Sequence, residues 1–94
     1  MVLAAEVLEL LRGARLSART AELSRTGSYT DTLNPLPQGS RVRLRLTHHD
    51  EVLEVLGKVA YNSYGLGMGV AFMEVTPEQQ AKLDDWLNNP DEEF

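Results

Sequence analysis

"VLAAEVLELLRGARLSARTAEL", Val2 to Leu23, is the stretch whose reading decides the fold. Its first ten residues are rich in alanine, leucine and glutamate, which favours helix on propensity alone. Gly13 then interrupts the run, and the short alternating residues of "RLSARTAELS" suit a strand. Taken alone, the segment is balanced between a helix and a β-hairpin turning at Arg12, Gly13 and Ala14. Short strands at hairpin spacing follow it. An antiparallel sheet or barrel is therefore the expected context, and a lone helix would have to cap it.

The clearest of those strands is "RVRLRLT", Arg41 to Thr47. Val42, Leu44 and Leu46 alternate with Arg41, Arg43 and Arg45, the period of a half-buried strand with an arginine stripe on its other face. "NPLPQGS" before it is a loop, on its two prolines and one glycine. "THHDE", Thr47 to Glu51, reads as a hairpin turn. Residues 52–61 form the next expected strand, with Leu53, Val55, Val59 and Tyr61 on one face and Glu54 and Lys58 opposite. Gly57 within it signals a bulge or a close backbone approach. A further strand is expected over 68–74, with Met68, Val70 and Phe72 on one face. The last element, 77–88, is a helix. Thr76 is its N-cap, Pro77 its first residue and Gln79 the partner in a capping box. Leu83, Trp86 and Leu87 should face the sheet, with Glu78, Asp84 and Asp85 in water. Residues 89–94 are expected to be a tail on a single domain spanning 1–88.

A chain of 94 residues has room for one core, and its 43% hydrophobic and 24% charged composition is that of a folded domain. It has no cysteine, which excludes disulfides and thiolate metal sites and fits a cytoplasmic setting. Glu6, Glu9 and Arg12 break the longest apolar run, so no membrane insertion and no signal peptide is expected. The net charge of −5 is uneven: residues 1–50 hold seven arginines against five acids, and residues 51–94 hold two lysines against nine acids. An arginine-rich half on an acidic chain suits a local anion site better than a DNA or RNA surface, and also suits a solvated strand face.

Little in this sequence points to catalysis. His48 and His49 are adjacent in a turn, point apart, and with Asp50 make a poor metal site. "GLGMG", Gly65 to Gly69, has no following helix to hold a phosphate and reads as a turn. Asp84 and Asp85 lie on a helix face, no nucleophile is paired with a base, and Tyr61 and Trp86 read as core residues. No enzyme, metal or cofactor is expected. "ELSRTG", Glu22 to Gly27, remains: on residues alone it is either an ordinary Ser-x-x-Gly turn or a loop that holds a ligand.

"ELSRTGSYTDTLNPLPQGSRVRLRLT", "EVLGKVAYN" and "YGLGMGVAFMEVTPEQQAKLDDWL" together resemble a PilZ domain, over roughly residues 3 to 88. The family's short signature is Asp or Asn, any residue, Ser, two of any kind, then Gly, and here Glu22, Ser24 and Gly27 stand in its place. Gly57, the run Gly69–Val70–Ala71–Phe72 and the Thr-Pro-Glu helix entry match as well. The resemblance implies a mainly β fold: a six-stranded antiparallel β-barrel with a C-terminal α-helix. It tips the opening segment towards strands at 3–11 and 15–23.

It also implies a regulatory domain that binds the bacterial second messenger cyclic di-GMP. In that reading the acid accepts hydrogen bonds from a guanine edge, the hydroxyl meets a base, and the glycine lets the backbone come close. Glu22 departs from the family pattern by one methylene, which moves its carboxylate outward. The family's second signature, two arginines four apart before the first strand, is not found ahead of residue 3. Such arginines clamp phosphates and guanine edges. A four-apart pair does occur at Arg15 and Arg19, but within the second expected strand, where it reads as a decoy still able to help an anion. Arg25 is basic and unmatched. The candidate ligand-binding set is therefore Glu22, Ser24 and Gly27 with Arg15, Arg19 and Arg25. Without the arm, weak cyclic di-GMP binding is expected. In this reading the chain is a piece of a larger parent chain that supplies the arm; the alternative is a nucleotide-independent module that contacts a protein partner.

Overall fold

The computed structural model describes residues 2–88. Six antiparallel strands close into a barrel: β1 Leu3–Glu9, β2 Arg15–Leu23, β3 Gly27–Asp31, β4 Arg41–His48, β5 Glu51–Ser63 and β6 Gly67–Met73, with the helix α1 Pro77–Asn88 after them. The order around the barrel is β1-β2-β3-β6-β5-β4, and β4 pairs back onto β1 to close it. The expected six-stranded barrel with a C-terminal helix is the fold found.

The opening segment is a hairpin. β1 reads as helix because its inward residues, Leu3, Ala5 and Val7, alternate with Ala4, Glu6 and the half-buried Leu8, so its amphipathicity is faint. Pairing with β2 on one side and β4 on the other fixes it as a strand. It stops at Glu9, two residues short of the expected 3–11. The Glu9 carboxylate turns back to accept from the Leu11 and Arg12 backbone N–H groups at 2.9 and 2.8 Å, so Leu10 to Arg12 form the turn. Gly13 follows with φ 77°, a conformation glycine adopts without strain.

The inner faces of β1, β4, β5 and β6 supply the core: Leu3, Val7, Val42, Leu44, Leu46, Leu53, Val55, Val59, Met68 and Val70 are all buried. The β2–β3 wall differs. Thr20, Ser28 and Thr30 face inward, and their hydroxyls have no partner among the described residues. Gly57 is a close approach, as its spacing signalled: a Cβ there would lie 2.6 Å from a Val70 methyl. The bulge sits further on, between Val59 and Tyr61. It reverses the expected facing of Tyr61, which is 53% exposed rather than in the core. Of "GLGMG", only Gly65 and Leu66 belong to the turn, because Gly67 and Gly69 pair within β6.

α1 begins in the expected capping box. Thr76 Oγ1 accepts from Gln79 N–H at 3.1 Å and Gln79 Oε1 accepts from Thr76 N–H at 2.9 Å. Leu83 and Trp86 are buried, and Trp86 Nε1–H donates to Glu51 at 2.8 Å. The two histidines do not point apart: their ring centroids lie 4.2 Å from each other, and His48 meets the Trp86 ring at 5.3 Å. His48 is thus part of the helix seat and not an exposed turn residue. Asp84 is not simply in water either, since it is ion-paired with Arg25. The expected tail, 89–94, lies outside the described residues. No described helix is long and apolar enough to cross a membrane.

Candidate ligand-binding cleft

Two bulges shape the outer wall of the barrel. One between Thr20 and Glu22 turns Glu22 outward, opposite Tyr29. The other, in β5, turns Tyr61 outward, opposite Gly69. Pairing then lines up Glu22, Tyr29, Gly69 and Tyr61 in one row across β2, β3, β6 and β5. The two tyrosine rings stack with centroids 6.2 Å apart and planes 30° from parallel. They lean over glycines: a Cβ at Gly69 would enter the Tyr61 ring, and one at Gly67 would meet Tyr29. The glycines of β6 are thus what lets aromatic rings lie flat on the sheet.

The β2–β3 loop borders this platform. Ser24 Oγ accepts from the Thr26 and Gly27 N–H groups at 3.3 and 3.2 Å, and Ser24 N–H donates to Gly27 O at 2.9 Å. Thr26 O accepts from Phe72 N–H at 2.8 Å, which pins the loop to the end of β6. Gly27 packs so closely on β6 that a Cβ would strike the Val70 carbonyl oxygen. Ser24 and Gly27 therefore have structural duties whether or not a ligand binds. Loop and platform together enclose a cleft of about 340 Å³ that Glu22, Ser24 and Gly27 line together with Tyr29 and Tyr61. That is at the small end of ligand pockets, which run roughly 300–1,000 Å³. The cleft offers a carboxylate acceptor, a hydroxyl, exposed backbone and a flat aromatic surface. This is equipment for a planar, hydrogen-bonding ring.

The three arginines of the candidate set lie elsewhere. Arg15 is seven residues before Glu22, roughly 23 Å along an extended strand. It borders a separate groove with Glu6, Arg43, Arg45 and Glu54. Arg19 points outward across from Asp31, 4.0 Å from its carboxylate. Arg25 leaves the cleft and donates from Nε to Asp84 at 2.8 Å. Among the described residues no lysine or arginine lines the cleft, and Glu22 is its one carboxyl side chain.

Sequence reasoning missed Tyr29 and the outward Tyr61. The spacing of glycines at 67 and 69 was the available signal, read as a turn and not as room for rings. A second cleft was also missed. It holds about 720 Å³ between the β1–β2 turn and the loop before β4, and is lined by Leu10, Leu11, Arg12, Leu36, Pro37 and Arg41 among others. Leu11 is 85% exposed there. Among the described residues no group of His, Asp and Glu is placed to hold a metal ion.

Comparison with known proteins finds matches to a family model and to solved structures. A family model described as PilZ domain matches residues 3–89. The crystal structure of the PilZ domain of CeSA from a cellulose-synthesizing bacterium is similar with a TM-score of 0.74, 15% sequence identity, and coverage of 96% of this chain and 93% of that one. At that identity the likeness speaks for the fold. No curated protein matches the sequence.

Proposed function

The chain belongs to the PilZ domain family, a family of cyclic di-GMP receptor-type domains that bind and regulate and do not catalyse, and on that premise we propose that it is a bacterial, cytoplasmic regulatory domain taking cyclic di-GMP in the cleft of Glu22, Ser24 and Gly27. The observation that carries this reading is convergence. The three signature positions, from a strand, a loop and the next strand, open onto one cleft floored by Tyr29 and Tyr61. A guanine ring stacks on the tyrosines, with its donor edge towards the Glu22 carboxylate. The longer glutamate suits this row, since the bulge before it sets its backbone beside Tyr29. The phosphodiesters then lie at the rim of the cleft, where no cation of the lining meets them among the described residues.

Binding by this chain alone is correspondingly weak. Each missing charge-assisted hydrogen bond costs about 1.5–3 kcal/mol, so two of them weaken affinity by about a hundredfold or more. Calorimetric titration of cyclic di-GMP into the chain measures this. A micromolar or weaker constant is expected, with Ser24→Ala and Tyr61→Ala each reducing it further. Sub-micromolar binding would show that outside arginines are unnecessary. No heat at millimolar ligand would sink the nucleotide reading.

The absence of a cation from the cleft, together with the exposed Leu11 and the larger cleft beside it, favours a second reading. In it the domain works by contacting a protein partner without nucleotide.

A further inference from the structure

We infer that Arg25 is a ligand contact held in reserve by Asp84, so that a phosphodiester entering the cleft draws the guanidinium off α1. This rests on the cyclic di-GMP reading and adds to it a route from the cleft to the helix. The cleft wall carries one carboxylate and no cation, which is a poor environment for an anionic ligand. Arg25 is the cation flanked in sequence on both sides by residues of the cleft lining. Its neighbours Ser24 and Thr26 both line the cleft, so its backbone stands on the rim. Its side chain turns the other way, to Asp84.

Among the described residues nothing else holds that side chain. It is 63% exposed and the Asp84 side chain 41%, so the pair is a solvent-screened one of the weak kind. A phosphate oxygen pair offers the guanidinium fork a stronger, bidentate partner. The hydrogen bonds of Ser24 to Gly27 and of Phe72 to Thr26 tie the loop down, so the exchange is a swing of the Arg25 side chain. Asp84 is not stranded by the loss, since Gln80 Nε2 also donates to it at 3.2 Å. What changes is α1: it keeps its Leu83 and Trp86 seat but loses its one ion pair to the β2–β3 loop among the described residues, and its Asp84 charge is uncovered.

A competition of this form has a sign that ordinary structural roles lack. If Asp84 competes with the ligand for Arg25, then removing Asp84 tightens binding. Calorimetry of cyclic di-GMP with the intact chain should show Asp84→Asn binding about two- to fivefold tighter, the range of an exposed ion pair. Arg25→Gln should bind about tenfold more weakly, as for one lost charge-assisted bond. The double variant separates competition from the mere removal of a negative charge: in the Arg25→Gln background, Asp84→Asn should have no effect. The Arg25 Nε–H resonance in a 15N spectrum reads the exchange directly and should shift on saturation with ligand. Binding that saturates while this resonance stays put, or that Asp84→Asn leaves equal or weaker, overturns the exchange and leaves the cleft reading intact. Equal tightening with and without Arg25 does the same. No binding by any variant overturns both. Neither residue is in the core, so all variants should keep the Trp86 fluorescence of the folded chain.

Discussion

Gly27 shows how a residue of a binding signature can be demanded by packing. Its backbone lies against the Val70 carbonyl so closely that any Cβ would collide. Gly27→Ala must push β3 off β6 at the strand's first residue, and overpacking of this kind costs about 1–3 kcal/mol. Urea unfolding of Gly27→Ala should show a loss in that range, and a neutral result would mean that the loop can relax. Ser24 is different. Its hydroxyl closes the turn through exposed hydrogen bonds of 3.2 and 3.3 Å, and losing them costs little where water can replace them. The Glu22 side chain makes no hydrogen bond or ion pair among the described residues, and Tyr61 packs on Tyr29 and over Gly69. Within the motif the acid is thus the residue most free to serve binding, and the glycine the least.

α1 is a separate case, because a capping box, a proline at the first helical position and leucine–tryptophan spacing make its boundaries legible residue by residue. Its energetic anchor is Trp86, 1% exposed, edge-on to His48 and donating to Glu51. Trp86→Ala should destabilise the chain by about 3–5 kcal/mol, the range for removing a large buried aromatic. A change below about 1 kcal/mol in urea unfolding would show that the barrel keeps its stability without the helix seat. β3 is the opposite extreme. Its inward residues are Ser28 and Thr30, so no apolar alternation marks it, and nothing in the five residues distinguishes a strand from a polar loop. It is a strand because β2 and β6 offer hydrogen-bonding edges on both sides.

Over the whole molecule, closure of β1 onto β4 joins the two ends of the sheet and leaves no free edge. Helix and barrel share one core through Leu83 and Trp86, so they should unfold together. Far-ultraviolet circular dichroism should show a β-dominated spectrum, and its thermal transition should coincide with that of Trp86 fluorescence. A Trp86 transition at lower temperature would show that α1 undocks from an intact barrel. Strands 41–48, 51–63 and 67–73 and the helix were readable within a residue or two, because local periodicity, turn residues and caps are written in neighbouring side chains. The ordered set of family motifs carried the barrel and brought Glu22, Ser24 and Gly27 forward as a group. Three things were settled only by tertiary structure. Val2 to Leu23 is a hairpin because two neighbouring strands pair with β1, overriding its helical propensity. Tyr61 faces out because a bulge before it shifts the strand's phase, and one extra residue reverses a period-two pattern. The arginines stand apart from the cleft because their places depend on partners such as Asp31 and Asp84, the latter 59 residues from Arg25 in the chain, and no local pattern records which carboxylate the folded chain will bring to a guanidinium.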